Sequence, residues 1–175
     1  MTRVGVITPT RNNRPNFLRQ CKKYIERQSY PIEALEIVDY PQKTFPVDLS
    51  ERYKYGFAKL KDRCDLIVII EDDDWYAPDY VEGLVKLWEM SQRPQIIGYG
   101  ATIYYFIHTQ KYCRIDHPGR ASAMSTAIAS DAVMLLDWKK IDPLWFDIGA
   151  WQQLHGIAFP VETWKSLGVK HGLGD

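Results

Sequence analysis

The sequence predicts a mixed α/β fold: a parallel β core flanked by helices, with an antiparallel hairpin appended to it. Three observations carry this. Leu66–Ile70 is an unbroken apolar run rich in β-branched residues, as expected of a strand covered on both faces in a parallel sheet. Between residues 4 and 94, strand-like segments alternate three times with helical patterns, the order that builds parallel sheets. From Ile96 to Ile107 the chain is long and aromatic, with a turn signal at His108-Thr109-Gln110 and a return through Tyr112–Ile115, which reads as the hairpin.

Val4–Thr8 is the first short buried strand. Pro9 ends it, and Thr10–Pro15 is a polar, turn-rich loop. Phe17, Leu18, Cys21, Tyr24 and Ile25 recur at helical spacing, with Asn16 as the expected N-cap. Pro31 closes that region, and Ala34–Val38 is a second strand followed by Asp39. Pro41–Leu49 reads as a loop, and Ser50–Leu60 as a second helix. After the Leu66–Ile70 strand, Pro78 suits the first position of a third helix, whose apolar face is Val81, Leu84, Val85 and Trp88. Ala121–Ala129 reads as strand, Ser130–Trp138 as a short helix, Pro143–Asp147 as a turn and Ile148–His155 as helical. The last residues, Val169–Asp175, read as a glycine-rich polar tail.

The composition excludes several classes. The chain has 175 residues, 46% of them hydrophobic, with 22 basic and 22 acidic side chains. This is enough apolar material for one domain with a real core, and the balanced charge creates no global field toward nucleic acid or acidic membrane. The three cysteines, Cys21, Cys64 and Cys113, are odd in number and widely spaced, which fits a reducing cytoplasm better than a disulfide framework. No apolar run approaches the ~20 residues of a membrane span, and no secretory leader is recognisable. The expectation is a single domain over residues 1–175, with residues 1–94 forming a ligand-binding half and 95–175 a second half.

Chemistry concentrates at predicted strand ends. In an open α/β sheet, ligands bind beyond the carboxyl ends of the strands. Three such ends carry Thr8-Pro9-Thr10-Arg11, Asp39 and Glu71-Asp72-Asp73-Asp74. Four adjacent carboxylates repel one another, and without a partner their pKa values must rise. A hard divalent cation relieves the conflict, and oxygen donors favour Mg²⁺ or Mn²⁺, held by one or two carboxylates plus substrate phosphates. The basic loop Arg11–Arg14, beside a helix N-terminus, suits the same phosphates. A solvated acidic turn is the alternative, and it is the preferred reading for Asp79.

These motifs resemble the family-2 inverting glycosyltransferases of the GT-A (Rossmann-like) fold. Val4–Asn12 is similar to their opening strand and loop. Glu36-Ile37-Val38-Asp39 falls where that family has its second strand and base-binding acid. Asp65–Asp79 is similar to their apolar strand, DxD-type motif and following helix. The likeness covers about the first 90 residues. It implies a nucleoside-diphosphate-sugar donor, with a UDP-sugar expected, and a Mn²⁺ or Mg²⁺ cofactor. By the resemblance, Pro9, Thr10 and Asp39 contact the base, with Arg11 nearby. Glu71 and Asp72 approach ribose and diphosphate, and Asp73 binds the metal with Asp74 in support. His171 is a further metal or phosphate ligand, against the reading of an exposed tail residue. Arg52 or Lys54 matches a basic position touching nucleotide, against that of an exposed helix residue.

The family's late acidic pair is missing, since Trp151 and Gln152 stand where it is expected. Asp147 is the preferred general base, with Asp131, Asp137 and His155 as alternatives. His108 and His117 have no assigned partner. The acceptor is open: a saccharide, a lipid-linked sugar, a protein or a modified nucleobase. A non-catalytic nucleotide-sugar-binding domain is the alternative function. A nucleotidyltransferase ranks lower, because Thr8–Pro15 contains no glycine.

Overall fold

The computed structural model describes residues 1–11, 13–39, 48–161 and 163–172. The expected loop at residues 41–47, Asn12 of the first loop and tail residues 173–175 lie outside them. Two sheets organise the described residues. The larger has six strands in the order β2-β1-β3-β8-β5-β9: β1 Val4–Pro9, β2 Ala34–Val38, β3 Leu66–Ile69, β5 Ile96–Tyr99, β8 Thr126–Ala129 and β9 Gly156–Phe159. Strand β1 runs parallel to both β2 and β3, and β5 runs parallel to β9. Strand β8 is antiparallel to both its neighbours. The smaller sheet has the order β4-β10-β6-β7: β4 Trp75–Tyr76, β6 Ala101–Phe106, β7 Lys111–Asp116 and β10 Ser166–Lys170. This is the expected mixed α/β fold.

Among the described residues four α-helices flank the sheet: α1 Pro15–Glu26, α2 Asp48–Leu60, α3 Tyr80–Met90 and α4 Phe146–Gln153. Helix α2 lies close on β1 because residue 56 is glycine; a Cβ there would stand 2.3 Å from Ile7 Cδ1. Tyr53 and Phe57 of α2 pack on Phe146 of α4, with ring centroids 4.4 and 5.5 Å apart. Helices α1 and α3 are tied by Gln28, whose amide donates to Ala77 O and accepts from Val81 N–H. Val4, Val6, Ile7 and Leu66–Ile70 are all 0% exposed, so the β-branched run does lie at the centre of the core.

Several boundaries differ from expectation. Helix α1 starts at Pro15, with Arg14 rather than Asn16 at the N-cap position. Proline's fixed φ and missing N–H suit the first turn, which moves the start back. Helix α3 starts at Tyr80 with Asp79 before it; Pro78 sits in the preceding turn, because Trp75–Tyr76 is drawn into strand β4. The aromatic stretch is two strands, divided at Gly100: β5 joins the main sheet and β6 pairs with β7. Phe146 and Asp147 belong to α4 rather than to a turn, and Ser130–Leu135 is 3₁₀ rather than α. The first two residues of the expected tail, Val169 and Lys170, are the end of β10, which hydrogen-bonds to β4 and β6. Strand β9 escaped the sequence reading, since Gly156-Ile157-Ala158-Phe159 is short and opens on glycine.

Arg52 joins α2 to the carboxyl ends of β1 and β2. It is 2% exposed, which overturns the exposed-helix reading. Its guanidinium donates to Asp48 Oδ2 at 2.9 Å, to Val38 O at 3.1 Å and to Thr10 O. A buried guanidinium with these partners cannot be deleted without orphaning a buried carboxylate and carbonyls. Arg52→Ala is therefore expected to destabilise the fold by about 3–5 kcal/mol, read from the midpoint of urea unfolding monitored by circular dichroism.

Candidate functional site

The carboxyl ends of β1, β2 and β3 lie on one edge of the sheet, as their parallel pairing requires. Thr10 N–H donates to Val38 O at 3.0 Å and Ile70 N–H to Ile7 O at 3.0 Å, so the three strand ends stay in register as they leave the core. Beyond them opens a cleft of about 340 Å³, within the range of small-ligand sites. Pro9, Thr10, Arg11, Arg52, Glu71, Asp72, Asp73 and Asp74 all line it. Arg14, Asp48, Trp145 and Lys170 line it too.

Each of the four acids has its own set of partners, with Arg14 shared between Asp72 and Asp73. Glu71 accepts from the Tyr53 hydroxyl at 2.8 Å. Asp72, with a side chain 1% exposed, accepts from the Thr10 hydroxyl and from Arg14 Nη2 at 2.7 Å. Asp73 Oδ2 receives Arg14 Nη1 at 2.7 Å and faces His171 Nε2 at 2.9 Å. Asp74 Oδ1 accepts the backbone N–H of Val169 at 2.8 Å.

These partners set different protonation tendencies. Burial, aided by the charge on Asp73, pushes Glu71 up to about 7. Burial and the charges of Glu71 and Asp73 push Asp74 well above the usual carboxylate range. Burial also raises Asp72, against the Thr10 and Arg14 contacts. At Asp73 burial is outweighed by Arg14 and His171, which hold the carboxyl below its usual value. Asp73 is thus the acid of the four held firmly ionised, and it also faces an imidazole.

His171 reaches the site because β10 is not a tail. Strand β4 begins directly after Asp74 and pairs antiparallel with β10, Tyr76 opposite Ser166. That pairing sets Val169, Lys170 and His171 beside the acids. His171 is 8% exposed and its ring lies 4.6 Å from Phe17 of α1. The exposed-tail reading of His171 is therefore corrected. Lys170, missed in the sequence, sits over the Tyr104 ring at 4.8 Å and lines the cleft. The only sequence signal for it was the short Leu167–Val169 alternation, broken by Gly168.

Other expected residues lie outside this convergence. Asp39 is exposed at the end of β2 and is not among the lining residues. Asp147 is buried in the first turn of α4 and ion-paired with Arg120. Burial raises its pKa, although Arg120 opposes this. Asp131 borders a separate cleft, with Lys61, Cys64, Asp65 and Trp88, by the start of β3. Asp137 accepts from Lys139 N–H, and His155 is exposed. His117 contacts Thr102 Oγ1 at 3.2 Å, and His108 Nε2 meets His171 O at 2.9 Å. Lys54 is an exposed neighbour of Glu51. Trp145, by contrast, lines the cleft although it is 57% exposed. Asp79 pairs with Lys165, so it is more than a solvated helix charge.

No protein-family model and no curated protein matches the sequence. Solved structures do match in shape. S. aureus TarS aligns with a TM-score of 0.60 and 9% identity, covering 95% of this chain and 36% of TarS. TarS 1-349 in complex with UDP-GlcNAc aligns with a TM-score of 0.59 and 10% identity, over 97% of this chain and 59% of that one. A197 from STIV aligns with a TM-score of 0.53 and 10% identity, over 89% of this chain and 82% of that one. At such identities the likeness establishes a shared Rossmann-like mixed fold, and this chain spans about a third of full TarS. No helix among the described residues is long and apolar enough to cross a membrane.

The raised pKa of Glu71 has a testable consequence for stability. An unfolded chain releases this proton near the ordinary glutamate value, whereas the folded chain keeps it up to about 7. Between those values the folded state binds more protons, so stability falls as pH rises. Without added metal, the thermal midpoint is expected to drop between about pH 5 and about pH 8. Glu71→Gln should shrink that drop by the equivalent of about 2 kcal/mol. Thermal melts in chelator at both pH values measure it.

Proposed function

We propose that this chain is a glycosyltransferase domain that binds a nucleoside-diphosphate sugar, a UDP-sugar first among them, and transfers the sugar to an acceptor hydroxyl with inversion. The observation that carries the reading is the cleft at the carboxyl edge of the sheet, lined by Asp72 and Asp73 together with Arg11, Arg14, Arg52 and Lys170. A diphosphate needs cations around it, and a ribose needs carboxylate acceptors; this cleft carries both. A UDP-GlcNAc complex of a protein of the same fold adds support.

In this reading Pro9 and Thr10 hold the base within the cleft and Asp39 would meet it from the exposed end of β2, outside the lining, with Arg52 keeping the strand ends in place. Glu71 and Asp72 face ribose, and Arg11 and Lys170 face diphosphate. The half over residues 1–94 holds the donor, and residues 95–175 supply the acceptor side along with Lys170 and His171.

The residues present also fit a divalent cation. Asp73 Oδ2 and His171 Nε2 lie 2.9 Å apart, close to the spacing of adjacent ligands on an octahedral ion with bonds of about 2.1 Å. Among the described residues no three acidic, cysteine or histidine side chains form a complete cage, so the remaining ligands would be water and diphosphate oxygens. Asp73 and His171 would hold Mn²⁺ or Mg²⁺, with Asp74 anchored behind them on Val169. The ion would stabilise negative charge on the departing nucleoside diphosphate. The acceptor hydroxyl attacks the anomeric carbon, the bond to diphosphate oxygen breaks, and Asp147 takes the hydroxyl proton. The raised pKa of Asp147 suits a base, and Arg120 orients its carboxylate.

A second reading, binding without turnover, draws on the same ion pair: Asp147 is already engaged by Arg120, and the late acidic pair is absent. Multiple-turnover release of UDP with an acceptor present separates the two.

Asp73→Ala is expected to weaken Mn²⁺-dependent UDP-sugar binding by at least about tenfold while the circular dichroism spectrum stays native. Unchanged Mn²⁺-dependent affinity in calorimetry would remove Asp73 from the site. Asp147→Asn is expected to lower turnover by about 100-fold with donor affinity within about twofold. Wild-type turnover would move the base elsewhere.

A further inference from the structure

Arg14 closes the acidic end of the cleft. Its Nη1 and Nη2 each make a 2.7 Å contact, to Asp73 Oδ2 and Asp72 Oδ1. Its Nε is buried with no hydrogen-bond partner among the described residues. The guanidinium lies over the Phe17 ring at 5.9 Å, Phe17 lies against His171 at 4.6 Å, and His171 returns to Asp73 Oδ2 at 2.9 Å. Arg14 and His171 therefore share one oxygen of Asp73, and Phe17 packs against both of them. Arg14 approaches it from the β1–α1 loop, and His171 approaches it from the end of β10.

That oxygen is the one a divalent ion would take from Asp73. An ion there and the Arg14 guanidinium repel each other, and the oxygen cannot serve both at full strength. Arg14 has another destination within the same cleft. Its planar fork suits phosphate as well as carboxylate. It immediately precedes the N-terminus of the twelve-residue helix α1, and Arg11 and Lys170 line the cleft beside it.

Resting on the nucleotide-sugar reading, we propose that Arg14 is a resident counter-cation of Asp73, which a divalent ion displaces and which then pairs with the donor diphosphate. Metal and nucleoside diphosphate thereby bind with positive cooperativity, and each alone binds weakly. Because coupling is reciprocal, each ligand relieves the obstacle to the other: the metal frees the guanidinium, and the diphosphate accepts it. Arg14 acts through the metal and the diphosphate rather than on the reacting bond, so it is a positioning residue.

The test is a set of calorimetric titrations with Mn²⁺ alone, UDP alone and UDP in saturating Mn²⁺, on the wild-type chain, Arg14→Gln and Arg14→Lys. Arg14→Gln should bind Mn²⁺ alone about tenfold tighter and UDP in saturating Mn²⁺ about tenfold weaker; with the affinity for UDP alone unchanged, this cuts the coupling factor by about tenfold, within the range such couplings span. Arg14→Lys keeps the charge but loses the fork, and should fall between the two. It also serves as the reporter if the glutamine variant does not fold. A merely structural role would weaken both ligands together. The proposal is overturned if Mn²⁺ binds Arg14→Gln no tighter than wild type, or if coupling is unchanged in both variants. Wild-type binding of UDP with no dependence on Mn²⁺ also overturns it and leaves the nucleotide reading standing. Failure of the wild-type chain to bind UDP at all overturns both.

Discussion

Four adjacent carboxyl groups leave the sheet just after the fully buried strand β3, and their mutual repulsion is the constraint that the surrounding structure answers. Carboxylates this close cannot all stay ionised in a half-buried turn without partners. The chain supplies partners from several elements: Tyr53 from α2 to Glu71, Thr10 and Arg14 from the β1–α1 loop to Asp72, Arg14 again and His171 to Asp73, and the Val169 amide of β10 to Asp74. The acidic turn is thus a junction where elements from both ends of the chain are held together. The compensation is uneven. Asp73 keeps its charge, while Glu71 and Asp74 drift toward the protonated form.

Uneven compensation is also what makes the cleft chemically specific. A uniformly neutralised cluster would be an inert structural knot. Here one ionised carboxylate shares an oxygen between a guanidinium and an imidazole, beside further cations lining a cavity of about 340 Å³. Such a cavity favours a ligand that is anionic over part of its length and hydrogen-bonding over the rest. Arg52 contributes from below the cleft. Buried on Asp48, it pins the carbonyls at two strand ends, so the loops that face the ligand start from a rigid base.

The first half of the site was legible because it depends on local pattern. An apolar β-branched run must be a buried strand, and parallel strands carry their carboxyl ends to one edge, so Pro9, Thr10, Arg11 and the acids of residues 71–74 had to meet. Arg52 needed the third dimension, since a basic residue in a helix reads the same whether it faces water or a pair of carbonyls. Asp147 illustrates the opposite difficulty: its place near a helix start was readable, but its pairing with Arg120, 27 residues away, leaves no mark in spacing.

The sequence alone determined the parallel core, the single edge at which its strand ends gather, and the concentration of negative charge there, because each follows from hydrophobic periodicity and the right-handed connection of strand, helix and strand. Only the tertiary structure decided what answers that charge. The two-residue strand β4, too short to carry a periodic signal, pairs with β10 and delivers Lys170 and His171 across more than ninety positions of chain. Such pairing is governed by backbone hydrogen bonds between distant segments, which side-chain patterning in either segment does not encode.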